Sequence, residues 1–310
     1  MAIPVKKPKI IVICGPTGVG KTGTAIILAK HFGGEIIGAD SIQIYRHMNI
    51  GTAKPTKEER VDVAHHMVDI KDPDETYDAG TFSEEALKKI KELELNGVLP
   101  FVVGGTGLYI KALIFGLSRK VPADPSILHR LKREAKDRGP AVLYRRLKEK
   151  DPHAAGKIHP NDMFRIVRAL EVYETTGKPI SSYHTTHGFR ETRLNPLTIG
   201  LKVDRKLLYE RINVRVDKMI CDGLLDEVKA LLSMGYGPGL KSMQSIGYRQ
   251  MIDYLEGRAS FDDAVQILKR DTRRYAKRQL TWFTSVKGIK WFHPSQEDEI
   301  SKEIKSFLNG

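Results

Sequence analysis

Apolar residues fall in short runs divided by polar or glycine-rich stretches. Lys9–Cys14 is a β-branched run ending at Gly15, which predicts a strand buried on both faces of a parallel sheet. A glycine-rich turn follows, then Thr22–His31 as a helix. Glu35–Ala39 predicts a second short strand ending at Asp40, and Leu99–Val103 another buried strand closed by Gly104-Gly105. Between these two lies Thr81–Glu94, with Leu87, Ile90 and Leu93 near helical spacing. Strands alternating with helices predict an α/β fold with a parallel sheet and a ligand site at the carboxyl ends of its strands.

Beyond Gly107 the pattern changes. Pro122, Asp124 and Pro125 break the chain, and Ser126–Lys150 and Asp162–Thr175 read as charged helices with loops at Asp151-Pro152 and His159-Pro160. Thr185–Asn195 is a polar stretch around Gly188, after which Leu197–Val203 returns to strand character. From Lys206 onward the pattern is helical, with stops near Gly223, Gly235–Gly239 and Gly257. The simplest organisation is a catalytic α/β body of residues 1–116 and 196–310, interrupted by a helical insert over 117–195.

The 310 residues are 41% hydrophobic and 29% charged, which excludes a disordered chain and supplies core for one large or two moderate domains. Two cysteines exclude a disulfide framework and a four-cysteine zinc site. The longest apolar runs are too short to span a bilayer, and Met1–Lys9 holds no long apolar stretch. A cytoplasmic protein without a membrane partner is therefore expected, and no surface stripe commits it beyond a monomer. The net charge is +13, and it is concentrated. Arg119–Lys150 has 11 basic against 4 acidic residues and Lys241–Lys290 has 11 against 5, while the other 228 residues balance. Two basic blocks on a neutral body suit a grip on a nucleic-acid backbone at two places, although solvated helix faces accommodate the same charges.

The chemistry starts at Gly15-Pro16-Thr17-Gly18-Val19-Gly20-Lys21-Thr22, which fits G-x-x-x-x-G-K-[ST] between a buried strand and a helix. Its glycines let backbone amides converge on phosphate oxygens, and the helix N-terminus adds positive potential. Lys21 supplies a charge, and the Thr22 hydroxyl can ligate Mg²⁺. Asp40, at the end of the next strand, lies across the mouth of the sheet, where a carboxylate acts as general base, metal ligand or turn cap. Thr106, in Gly104-Gly105-Thr106-Gly107, offers a hydroxyl to the same crevice. A nucleotide or small-molecule kinase would account for the loop and Asp40 equally well, but not for the two basic blocks. A guanine-nucleotide module would need an N-K-x-D motif, which is not evident.

The phosphate loop, Ala39-Asp40-Ser41-Ile42-Gln43-Ile44-Tyr45, Gly51-Thr52-Ala53-Lys54-Pro55 and Val103–Tyr109 occur in this order. They are followed by Asn161-Asp162-x-x-Arg165-x-x-Arg168-Ala169-Leu170-Glu171, Gly247-Tyr248-Arg249-Gln250 and Lys277-Arg278-Gln279-x-Thr281-Trp282-Phe283. In these strings the chain resembles the bacterial tRNA dimethylallyltransferases from about residue 9 to residue 285. The resemblance implies a P-loop NTPase-like sheet flanked by helices with an all-helical, tRNA-binding insertion. It implies transfer of a dimethylallyl group from dimethylallyl diphosphate to N6 of the adenosine immediately 3′ of the anticodon, in tRNAs reading codons that begin with U. It implies Asp40 as general base, with Thr106 positioning the reacting groups. The diphosphate would be held by Gly15, Thr17, Gly18, Val19, Gly20, Lys21 and Thr22, with Arg211 and Arg215, and by Mg²⁺ on Thr22.

By the same resemblance, Asp40, Ser41, Ile42 and Gln43 face the tRNA anticodon stem-loop. So do Phe164, Arg165 and Arg168 of the insert, with Phe164 standing where the family often has Gln. Gln244, Tyr248 and Arg249, and Arg274, Lys277, Arg278 and Gln279, complete the expected interface. The last block mixes cations with Tyr275 and Trp282, the usual composition for gripping an RNA loop, although Trp282 and Phe283 equally suit a core. Eukaryotic relatives can carry a C-terminal zinc finger; no such Cys/His pattern is present and no zinc is expected.

Overall fold

The computed structural model describes residues 7–117, 124–187 and 191–310. The expected break at Pro122, the start of the basic block at Arg119 and Lys120, Gly188, and the first six residues lie outside the described residues. The chain forms two compact units, Met1–Ile114 with Arg193–Gly310, and Phe115–Thr192.

The larger unit is built on six parallel strands: β1 (Lys9–Cys14), β2 (Gly34–Gly38), β3 (His65–His66), β4 (Leu99–Gly104), β5 (Asn195–Leu201) and β6 (Lys290–Phe292), in the order β3-β2-β4-β1-β5-β6. β1 is central because it is apolar after Lys9: Ile10 to Cys14 are fully buried, between β4 on one side and β5 on the other. The register aligns the strand ends, pairing Cys14 with Gly104 and Gly38 with Val103, so the loops after β1, β2 and β4 open at one edge.

Helices α1 (Lys21–Phe32), α2 (Lys57–Asp62), α3 (Ala79–Leu95) and α4 (Gly107–Phe115) belong to the first half of the chain. After the second unit come α10 (Arg205–Cys221), α11 (Leu224–Ser233), α12 (Tyr248–Leu255), α13 (Phe261–Thr284) and α14 (Glu297–Asn309). On one sheet face Ile11, Ile13 and Ile199 pack with Leu28 of α1, Ile212 of α10 and Ile300 of α14. This is the α/β fold that the strand–helix alternation predicts, a parallel sheet flanked by helices. Among the described residues no helix is long and apolar enough to cross a membrane.

The second unit is helical: α5 (Pro125–Arg138), α6 (Pro140–Lys150), α7 (Pro152–Ala155), α8 (Met163–Thr176) and α9 (Ile180–His187). Its core gathers Leu131, Leu143, Leu147, Ile166, Val167 and Leu170. Ser126–Lys150, read as one helical stretch, is two helices. Gly139 adopts φ 83°, and Pro140 starts the second, since proline lacks the N–H a continuous helix needs. The expected loop at Asp151-Pro152 is a helical turn, because Asp151 caps it by accepting from the Ala154 amide at 2.9 Å.

Candidate active site

The loop between β1 and α1 is shaped by its glycines. Gly15 has φ 146°, and a Cβ there would lie 2.6 Å from the Leu201 carbonyl oxygen, so no side chain fits. Gly20 at φ 107° starts α1, leaving the helix N-terminus open at the strand ends. Lys21 folds back over the loop and donates to the Pro16 carbonyl at 2.9 Å. Protein atoms crowd its ammonium, and this burial, with the nearby Arg215, pushes its pKa down to about 8, against an opposing pull from Asp40. Burial likewise lowers the pKa of Arg215 from its ordinary value, and Asp40 again opposes the shift. Both cations line a cavity with Thr17, Thr22 and Asp40. Two desolvated cations facing one carboxylate leave a positive excess that an anion would neutralise.

Asp40 is fixed by the ends of β2 and β4. The Ala39 amide donates to Val103 at 2.8 Å, and the Thr106 amide donates back to Ala39 at 3.2 Å. This approach needs Gly104, where a Cβ would meet the Ala39 oxygen at 2.1 Å. Asp40 Oδ1 accepts from the amides of Ile42 at 2.9 Å and Gln43 at 3.3 Å, closing a turn. One oxygen therefore does serve as a turn cap. Asp40 also lines the pocket. Thr106 Oγ1 accepts from the Ser41 amide at 3.2 Å and meets the hydroxyl of Tyr275, whose pKa is raised by burial and by Asp40.

A second, less polar cavity of about 330 Å³ adjoins the first. Thr17, Asp40, Thr52, Arg215 and Tyr275 line both, and Ile42, Met219, Ile246 and Leu268 give the second its apolar walls. Asp40 thus stands where a cavity lined by Thr17, Lys21, Thr22 and Arg215 meets a larger, less polar one.

The remaining expected diphosphate and tRNA residues divide. Gly18, Val19 and Gly20 lie in the phosphate loop, and the Val19 amide is turned inward to Pro16 at 3.4 Å. Arg211 is not among the residues lining either cavity and donates to the Val19 carbonyl of the phosphate loop at 3.4 Å. Gln244 and Arg278 line the second cavity with Ser41 and Ile42. Arg274, Lys277 and Arg278 are exposed along α13, and Arg278 lies 5.7 Å from the Tyr275 ring centroid.

Three further expected tRNA contacts are tied into the unit by hydrogen bonds, and two of them, Gln43 and Gln279, line the first cavity. Tyr248 is fully buried, its hydroxyl donating to Glu227 at 2.7 Å, so it is a core residue. Gln279 is buried as well. Its Oε1 accepts from the Thr17 amide at 2.8 Å and its Nε2 donates to the Gly105 carbonyl at 3.0 Å, clamping the phosphate loop to the loop after β4. Gln43 spends both amide hydrogens on the Thr52 and Ala53 carbonyls, at 3.1 and 3.2 Å. Arg249 is half-exposed and paired with Asp271 at 3.0 Å.

In the second unit Phe164 is 82% exposed, an unusual position for a phenylalanine without a partner surface. Arg165 is exposed beside Asp162, and Arg168 pairs with the buried Glu171 at 2.8 Å.

The sequence reading left out Glu227, and it expected Tyr275 on the RNA-gripping face of its block, whereas Tyr275 lines both cavities. Tyr275 lies on the inward face of α13 with Leu268, Thr272, Gln279 and Phe283, a spacing that could have revealed it. Glu227 has no local signal, because all its partners are remote in sequence.

For a metal, the first cavity offers the oxygens of Thr22 and Asp40, with the His65 imidazole also in its lining. Among the described residues no three or more His, Cys, Asp or Glu side chains gather to hold an ion. The Thr22 hydroxyl and the Asp40 carboxylate line the phosphate cavity. So sparse a donor set fits Mg²⁺, which keeps waters and shares phosphate oxygens rather than occupying an all-protein cage.

Residues 43–286 match the profile of the IPP transferase family. The chain is 54% identical to a tRNA dimethylallyltransferase of Desulfosudis oleivorans, over 97% of this chain and 96% of the relative. It is 49% identical to one of Desulfatibacillum aliphaticivorans, over 97% and 99%. Its structure is similar to the full-length tRNA isopentenylpyrophosphate transferase of Bacillus halodurans, with TM-score 0.73 and 42% identity over 98% of this chain and 97% of that one. It is also similar to a eukaryotic dimethylallyltransferase acting on tRNA, with TM-score 0.77 and 31% identity over 92% and 74%.

Proposed function

The chain belongs to the IPP transferase family, and from that premise we propose that it is a tRNA-modifying prenyltransferase. It moves the dimethylallyl group of dimethylallyl diphosphate onto N6 of the adenosine immediately 3′ of the anticodon, in tRNAs reading codons that begin with U. The observation that carries this reading is Asp40 at the junction of two cavities, one lined by Lys21 and Arg215 and the other apolar.

The diphosphate takes the cationic cavity, held by the amides of the phosphate loop, Lys21 and Arg215. Bound Mg²⁺, with the Thr22 hydroxyl as its protein ligand, would add charge neutralisation on the phosphate oxygens. An allylic carbon parts readily from diphosphate, so the protein's main contributions are a stabilised leaving group and an aligned amine. The adenine, turned out of its stack, enters the apolar cavity with N6 toward Asp40. As the N6–carbon bond forms and the carbon–oxygen bond to diphosphate breaks, the N6 proton passes to Oδ2 of Asp40. Thr106 and Tyr275 keep the rim of the site in place.

The tRNA is gripped by charge outside the site. Arg274, Lys277 and Arg278 on α13, and Lys132, Arg133 and Lys136 on α5, are exposed; they give affinity and register rather than base choice. Phe164 offers a stacking face.

The reading is tested by incubating the protein with dimethylallyl diphosphate, Mg²⁺ and an anticodon stem-loop, and following diphosphate release. Release that requires the RNA is expected. RNA-independent ATP hydrolysis in its place would point to a kinase.

A further inference from the structure

Behind Asp40 the cavity wall is a loop, residues 47–53, that carries its own strain. His47 and Ala53 hold φ values of 65° and 43°, a region that side chains with a Cβ adopt only under constraint. Two side chains of opposite charge supply that constraint. Lys54 Nζ donates to the Tyr45 carbonyl at 2.7 Å and to Asn49 Oδ1 at 3.0 Å, and pairs with Asp69. Glu227, in the first turn of α11, holds the amide side. Its Oε2 accepts from the backbone N–H of Asn49 at 2.9 Å and of Ile50 at 2.8 Å. Its Oε1 accepts from Gly51 N–H at 3.1 Å and from the Tyr248 hydroxyl at 2.7 Å. Three successive amides converging on one carboxylate form a backbone anion site whose anion is a side chain. Gly51 permits the approach, since a Cβ there would lie 2.5 Å from the Tyr248 ring.

The other end of the loop faces the reaction. Thr52 lines both cavities and Ala53 the smaller one. Their carbonyls accept from Gln43 Nε2, and the backbone N–H of Gln43 donates to Asp40 Oδ1. A continuous chain of hydrogen bonds and backbone thus runs from Glu227 to the general base, although Glu227 itself lines neither cavity.

We propose that Glu227 is a positioning residue for prenyl transfer: it sets the loop, the loop sets Gln43, and Gln43 sets the carboxylate of Asp40. The inference rests on the reading of the chain as a tRNA prenyltransferase with Asp40 as its base. It is more than scaffolding because the loop it holds also forms the wall between the two substrates.

The test compares the wild type with Glu227→Gln, which keeps size and one acceptor oxygen but loses the other, and with Gln43→Ala and the double variant. For Glu227→Gln, kcat for tRNA prenylation should fall roughly 10- to 100-fold, since sub-ångström misplacement of a base is costly. The tRNA Kd and the KM for dimethylallyl diphosphate should stay within about twofold, and the double variant should lose no more than about the larger single loss. Wild-type kcat in Glu227→Gln overturns the proposal, as does a loss that adds fully to that of Gln43→Ala or comes with equal weakening of both substrates. Tyr248→Phe removes one partner of the carboxylate without opening a cavity. It decides the matter if Glu227→Gln does not fold: a several-fold loss of kcat supports the proposal, and an unchanged kcat overturns it. A wild type that transfers no prenyl group to tRNA refutes the functional reading instead, a result distinguishable from an active wild type with an equally active variant.

Discussion

Oδ1 of Asp40 accepts from the amides of Ile42 and Gln43, and Asp40 lines both cavities. Asp40→Asn keeps the turn, because its carbonyl oxygen can accept the same two amides. It should lower kcat by roughly 10²- to 10⁴-fold, the usual worth of a general base, with tRNA affinity nearly unchanged in a filter-binding assay. Lys21 gives a pH dependence of definite sign. In the free chain its ammonium loses its proton near pH 8 rather than at the ordinary 10.5, because of burial and Arg215. A neutral amine gives diphosphate no countercharge, so the KM for dimethylallyl diphosphate should rise as pH climbs through about 8; a flat KM would contradict this. Between 8 and 10.5 the unfolded chain binds more protons than the folded one, so this group makes the free protein more stable as pH rises across that window. Lys21, Asp40 and Thr106 were legible because each follows a strand that its own pattern announces. Tyr248 and Gln279 are buried in the chain where the resemblance expects a tRNA face, because a polar residue on a helix does not reveal which face is buried. The partners that bury Gln279 lie 262 and 174 residues away.

At the scale of elements, legibility follows burial. β1, β4 and β5 lie inside the sheet and read as apolar runs, whereas β3 is His65-His66 and β6 is Lys290–Phe292, short edge strands with no such pattern. What holds the site together is contact between elements, which no local pattern encodes. α13 clamps two loops through Gln279, and Trp282 covers Gly107 so closely that a Cβ there would meet Nε1 at 2.1 Å. An equally tight approach, here to backbone rather than to a side chain, is at Gly104, between the ends of β2 and β4. Gly104→Ala forces backbone apart there and should cost about 3 kcal/mol or more in urea unfolding. Wild-type stability would mean that the two strand ends are not pressed together as described.

For the whole molecule, the net charge of +13 separates into functions. Lys21 and Arg215 sit inside the site, while the exposed cations of α13 and of the helical unit face solvent. Exchanging Arg274, Lys277 and Arg278 together for Gln should reduce the slope of log K against log salt for tRNA binding by about 2 to 3, one counterion-release increment per lost phosphate contact. An unchanged slope would move the contact off α13. The central claim is that this chain prenylates one adenosine of tRNA, with Asp40 between the two substrates. It is tested most directly by mass spectrometry of nuclease fragments of tRNA after incubation with the protein, Mg²⁺ and dimethylallyl diphosphate. The predicted result is a single dimethylallyl group on the adenosine immediately 3′ of the anticodon, present with the wild type and nearly absent with Asp40→Asn. Unmodified tRNA with the wild type, or equal modification by both proteins, would contradict the account.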